Sequence, residues 1–268
     1  MLEIRWLNEL ISASVMGYFI DFVEQNRKAK QVAFWLLSMV WLLQTIFLFH
    51  QILIEKHFPI GNIYAGMFFY SWILVTLSLA INRWLKLHFF NFFINLLGFF
   101  ILLLHIVAVA QNKGINQEVQ LMNELLIAHI TLALTSYGFF TLSFVFAFMY
   151  LLQYYLLKEK RGYKWLKRMG DLQRLDHLSR TTITIGVPIL LISIILGVVW
   201  AYHSGSEFYW YDIKTIGSIV VLLVYIVYLI LRAVKGHQSR SVNLYNTAAF
   251  LYLLINFLLF NVMSNFHF

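Results

Sequence analysis

Of the nine histidines, His105 and His129 are the clearest cases inside long apolar runs of the chain. An imidazole placed in hydrocarbon is costly unless it is neutral and has a partner, so such a position is a functional hypothesis by default. His105 stands near the end of one apolar run and His129 near the start of the next. At a rise of about 1.5 Å per residue their depths in consecutive antiparallel helices differ by only a few ångström, so both rings can face one cavity. Neutral imidazole nitrogens among aromatic side chains suit axial ligation of a haem iron. A plainer reading stands beside it: two buried histidines hydrogen-bonded to neighbouring helices. Zinc fits less well, because no third close ligand is evident. Cysteine is absent, which removes disulfides, thiolate metal sites, thioether haem attachment and thiol nucleophiles.

A second cluster lies in VVWAYHSGSEFYWYDIKT, Val198 to Thr215. It gathers Trp200, Tyr202, Phe208, Tyr209, Trp210 and Tyr211 beside His203, Glu207, Asp212 and Lys214. These residues fit a platform for a flat ligand, and they equally fit an aromatic belt at a membrane interface. Acidic residues within apolar runs are few, Asp21 being the clearest, and no chain of ionisable groups crosses the bilayer as a proton relay would require. Asn8, Asn91, Asn95, Asn256 and Asn261 are candidates for interhelical hydrogen bonds. No phosphate-binding glycine loop, nucleophile elbow, His-Glu-x-x-His motif or carboxylate pair with a base is present, so no catalysis is expected.

The elements that must position these residues follow from composition. Of 268 residues, 61% are hydrophobic and 12% charged, which leaves too little polar surface for a soluble globule. A membrane span needs about 20 apolar residues. Eight segments qualify: Ile4–Val23, Val32–Ile54, Ile63–Asn82, Phe89–Ala110, Leu125–Leu157, Thr181–Tyr202, Thr215–Arg232 and Leu244–Ser264. The expectation is an all-α, polytopic membrane protein with about eight transmembrane helices, one membrane domain over residues 1–268, multi-pass in the cell membrane. Alternate joints, together with Arg232, hold sixteen of the twenty Lys and Arg residues. The positive-inside rule then puts both termini outside and the basic joints inside. That asymmetry explains the net charge of +8 without nucleic acid as a partner. The N-terminal run lacks the basic lead and small-residue cleavage site of a signal peptide, so it is expected to stay as a helix. The largest inner piece, Lys158–Arg180, reads as an orientation-setting basic loop. It also reads as a surface helix with Trp165, Leu166, Met169, Leu172 and Leu175 on its apolar side, able to dock a cytoplasmic partner.

The order of features resembles the CcsA/ResC cytochrome c assembly family. In NELLIAHITLALTSYGFFTLSFVFAFMYLLQYYLLK, Asn123 to Lys158, the matching residues are His129, Tyr137, Tyr150, Leu151 and Lys158. In LQRLDHLSRTTITIGVPILLISIILGVVWA, Leu172 to Ala201, they are Asp176, Gly186, Gly197, Trp200 and Ala201. The loop that follows is similar to the family's tryptophan-rich haem loop, which ends in Trp-Asp-Pro-Lys-Glu. Asp212 and Lys214 remain, while Tyr211, Ile213 and Thr215 replace the tryptophan, proline and glutamate. The helix ending at Arg232 lacks the histidine usual there. The stretch Val40 to Trp72 resembles the shorter, eight-helix HemX-type members of the superfamily, with Gln44 where many relatives have histidine.

The resemblance implies a role in haem metabolism. HemX-type proteins are associated with tetrapyrrole biosynthesis and are held to lower the amount of glutamyl-tRNA reductase. Assembly proteins handle haem at the outer face between histidines flanking the aromatic loop. Carried over by position, His129 is the first flanking histidine and His267 the candidate for the second, so these two are the expected axial ligands of a non-covalent haem b. His105, His203, Trp200, Trp210 and Asp212 complete the expected cofactor site. The implied partners are haem, the lipid bilayer, and either glutamyl-tRNA reductase or a protease at the inner loop. Two rival expectations remain, a haem-handling component of cytochrome c maturation and a cofactor-free membrane scaffold.

Overall fold

A computed structural model describes residues 2–24, 26–53, 63–84, 88–111, 124–160, 162, 166, 169–203, 213–235 and 240–258. These residues form α1 (Leu2–Glu24), α2 (Arg27–Leu53), α3 (Ile63–Trp84), α4 (His88–Gln111), α5 (Glu124–Lys158), α6 (Leu172–His203), α7 (Ile213–Lys235) and α8 (Arg240–Leu258). No strand occurs among the described residues. Seven helices, α2 to α8, are long and apolar enough to cross a membrane, and the chain is a multi-pass membrane protein. Backbone groups in lipid must bond internally, which is why such apolar runs fold as helices and nothing else.

The chain divides into two compact units, Met1–Met122 and Asn123–Phe268. In the first, α1 packs on α2 and α4, and α3 packs on α2 and α4. In the second, α5 packs on α6 and α8, and α7 packs on α6 and α8. Each unit is thus a closed ring of four helices in which the last returns to the first.

The first unit is held by polar bonds between helices. Trp41 Nε1 donates to Thr76 Oγ1 at 2.9 Å, and Trp72 Nε1 donates to Thr45 Oγ1 at 2.9 Å. Each threonine hydroxyl donates onward within its own helix, Thr76 to the Trp72 carbonyl and Thr45 to the Trp41 carbonyl. Ser14 Oγ reaches the Ala33 carbonyl at 2.9 Å and joins α1 to α2. Asn91 bonds Asn82 across α3 and α4, as an interhelical role predicts, whereas Asn95 donates to the Asn91 carbonyl of its own helix. Asn95 therefore departs from the expectation, because a carbonyl one turn back lies within its reach.

In the second unit α5 and α6 run antiparallel in a fixed register. Ser193 meets His129, Ser143 meets Ser179, and Gln153 Nε2 donates to the Gly170 carbonyl at 2.8 Å. Between these bonds Gly186 faces Phe140 so closely that a Cβ there would stand 2.7 Å from Cε1 of the ring. The ring of Phe140 in turn stacks on Tyr225 of α7 at 3.8 Å.

The sixth helix begins at Leu172, well before the expected start at Thr181. The polar stretch is absorbed because its acid finds partners. Asp176 is buried, ion-paired with Arg232 of α7, and its second oxygen accepts from Asn243 of α8 at 2.8 Å. Leu172 and Leu175 therefore open α6 instead of lining a separate surface helix, and Met169 is buried just ahead of them. Trp165 lies outside the described residues. One turn further on, Asn246 Nδ2 bonds both Ser143 Oγ at 2.8 Å and Ser179 Oγ at 3.0 Å.

Breaking a buried pair leaves an uncompensated charge and costs about 3–5 kcal/mol, whereas replacing both partners with apolar residues is far milder. Asp176→Asn or Arg232→Gln alone should therefore lower the melting temperature in detergent sharply. The double variant Asp176→Leu/Arg232→Met should recover much of that loss.

Candidate functional site

His129 sits in the second turn of α5 and touches α6 at three points. Its Nδ1 lies 2.6 Å from the Ser193 carbonyl oxygen and 3.2 Å from Ser193 Oγ. Ser193 Oγ donates to the His129 carbonyl at 2.8 Å. Gly197, one turn beyond Ser193, leaves room for the ring, since a Cβ at that position would stand 2.8 Å from both Cε1 and Nδ1. A carbonyl oxygen can only accept, so the short contact assigns the proton to Nδ1. Nε2 then carries the lone pair. This is the form in which histidine ligates a metal, with its other nitrogen donating to a backbone carbonyl.

Other groups sit at the same end of this unit. Lys214 lies in the first turn of α7. Trp200 is half-buried on α6, and His203, at the end of α6, is exposed with Nδ1 3.1 Å from the Val199 carbonyl. Below the imidazole, Asn256 Nδ2 of α8 donates to the Tyr137 hydroxyl of α5 at 3.1 Å, and Phe257 packs edge-on against the Tyr137 ring. Asn256 thus bonds between helices as its sequence position predicts.

The expected site residues divide by position. His129, Trp200 and His203 belong to one end of the second unit. His105 belongs to the first unit, where it is buried with its ring 5.7 Å from Phe68. Trp210, Asp212, His267 and Asn261 lie outside the described residues. Among the described residues no group of three or more His, Asp or Glu side chains comes together as a metal cage. A haem fits the donor set better, because its iron needs no more than two ligands from the protein and a neutral imidazole serves as one. Sequence reasoning missed Ser193, and it registered Gly197 without a role. The signal was available in the spacing: His129 and Phe140 stand eleven residues apart on α5, as do Gly186 and Gly197 on α6.

The family described as cytochrome C assembly protein matches residues 60–267. Protein HemX of Bacillus subtilis (strain 168) is 46% identical over 258 residues, covering 96% of this chain and 94% of that protein. Protein HemX of Brevibacillus brevis is 39% identical over 271 residues, covering 100% of this chain and 99% of that protein. Cytochrome c biogenesis protein CcsA of Cyanophora paradoxa is 25% identical over 255 residues, covering 78% and 77% of the two chains. No solved structure matches.

Tyr137→Phe should leave the buried Asn256 amide without its acceptor and cost about 1–3 kcal/mol. A detergent melt should register that loss, while Tyr252→Phe, on the same helix as Asn256, should cost less.

Proposed function

This chain belongs to the cytochrome c assembly protein family, and we propose that it is a haem-sensing regulator of tetrapyrrole synthesis that lowers the amount of glutamyl-tRNA reductase. The observation that carries the haem part is the His129 geometry, a buried imidazole whose Nδ1 is held by the Ser193 carbonyl. Haem, when bound, would supply an iron that accepts an imidazole nitrogen and a flat ring bearing anionic carboxylates. His129 would offer Nε2 to that iron, with His267 of the same unit as the second ligand. Lys214 would offer an ammonium counter-charge to a carboxylate, and Trp200 and His203, at the same end of the unit, would border the ring. The chain itself does no catalysis in this reading.

The regulatory part rests on whole-length similarity. The HemX proteins match nearly the entire chain at 46% and 39% identity, while the CcsA relative stands at 25%. The replacements at Tyr211, Ile213 and Thr215 also weaken the case for haem delivery. A route from the site to the cytoplasm is built into one helix pair. His129 and Gln153 lie at opposite ends of α5, and both are tied to α6 or to the residue just ahead of it. The positive-inside rule assigns the basic loop between these helices to the cytoplasm. Haem preference for one arrangement of α5 and α6 would shift the population that the loop presents to glutamyl-tRNA reductase or a protease.

Two experiments test this. Purified protein given haem should show a Soret band that moves on reduction, and His129→Ala should abolish or strongly weaken it. Deletion of the coding sequence should raise glutamyl-tRNA reductase and leave c-type cytochromes normal. Loss of c-type cytochromes would instead favour a part in cytochrome c maturation, which the family match over residues 60–267 supports as the second reading.

A further inference from the structure

We propose that the Ser193 backbone carbonyl and Gly197 preset His129 as an Nε2 donor before any ligand arrives; this rests on the haem reading above. The argument begins with the proton count around Nδ1. Its nearest neighbour, the Ser193 carbonyl at 2.6 Å, has no hydrogen to give. Its second neighbour, Ser193 Oγ at 3.2 Å, has already committed its single hydrogen to the His129 carbonyl at 2.8 Å. Both contacts can therefore only accept, and Nδ1 must be the protonated nitrogen. A neutral imidazole so held has its lone pair on Nε2 in the empty protein, and no tautomer change is needed at the moment of ligation.

Gly197 makes this contact possible. The Cβ of any other residue would stand 2.8 Å from Nδ1 and Cε1, closer than side-chain carbons approach one another. The ring would swing away and lose the carbonyl. Ser193 acts on the backbone as well as on the ring, because its hydroxyl bond to the His129 carbonyl fixes the register of α5 against α6 at this level. Partners of this kind behind a metal-ligating histidine typically change affinity by about 10–100-fold when lost.

The test reads the imidazole directly. The full chain in detergent, without haem and with 15N-labelled histidine, is compared with His129→Gln to assign the His129 nitrogens. The expected result is a protonated Nδ1 and an unprotonated Nε2. Ser193→Ala should keep this tautomer, because the acceptor is backbone, whereas Gly197→Ala should shift the population toward the other tautomer. On haem titration Gly197→Ala should bind at least tenfold more weakly than the parent. A parent protein protonated at Nε2 of His129 overturns the proposal even if Gly197→Ala fails to fold. So does a folded Gly197→Ala with the parent's tautomer and haem affinity. A correct tautomer in a parent that binds no haem overturns the haem reading while the presetting stands.

Discussion

Inside hydrocarbon a polar group can bond only to protein, and apolar side chains gain nothing from leaving lipid for each other. What joins two helices there is close fit and hydrogen bonding. The second unit meets that constraint at several levels along the contact of α5 with α6. Serine on serine, histidine on a serine carbonyl, glutamine on a glycine carbonyl and ring on glycine all recur at matching levels of the two helices. The register these set fixes the depth of Asp176, and with it the place where Arg232 and Asn243 must stand to meet it. The contact of His129 with Ser193 is thus one rung of a ladder that also includes Phe140 with Gly186 and Ser143 with Ser179.

Much of this architecture could be read from the amino acids. Apolar runs separated by charged joints mark the helices, because only an unbroken helix removes its own polar backbone from lipid. The start of α6 could not be read in the same way. Asp176 and Arg174 make the stretch look like a loop, and only the partners on α7 and α8 reveal why Asp176 is buried there. Hydropathy gives depth along a helix but not rotation about it. The partners of Asn246, Ser143 and Ser179 were hidden for that reason, and Asn95 was misjudged for the same one.

The candidate site was legible in its buried histidine and not in that histidine's support. A histidine in an apolar run announces itself by the cost of placing it there. Ser193 and Gly197 announce nothing, since serine and glycine are common wherever membrane helices pack. Their meaning depends on lying opposite one particular residue. The equal spacing of the two rings on α5 and the two glycines on α6 is the only trace of that pairing left in one dimension.

The reciprocal tryptophan–threonine bonds of α2 and α3 have a bearing on how the chain is made. All four hydrogen bonds close within those two helices, each threonine relaying an indole N–H to the carbonyl of the other tryptophan. Neither indole waits on a residue synthesised later. As α3 emerges it can satisfy both indoles and both threonine hydroxyls against α2 at once, so these four groups can enter lipid already bonded while the ribosome is still working on the rest.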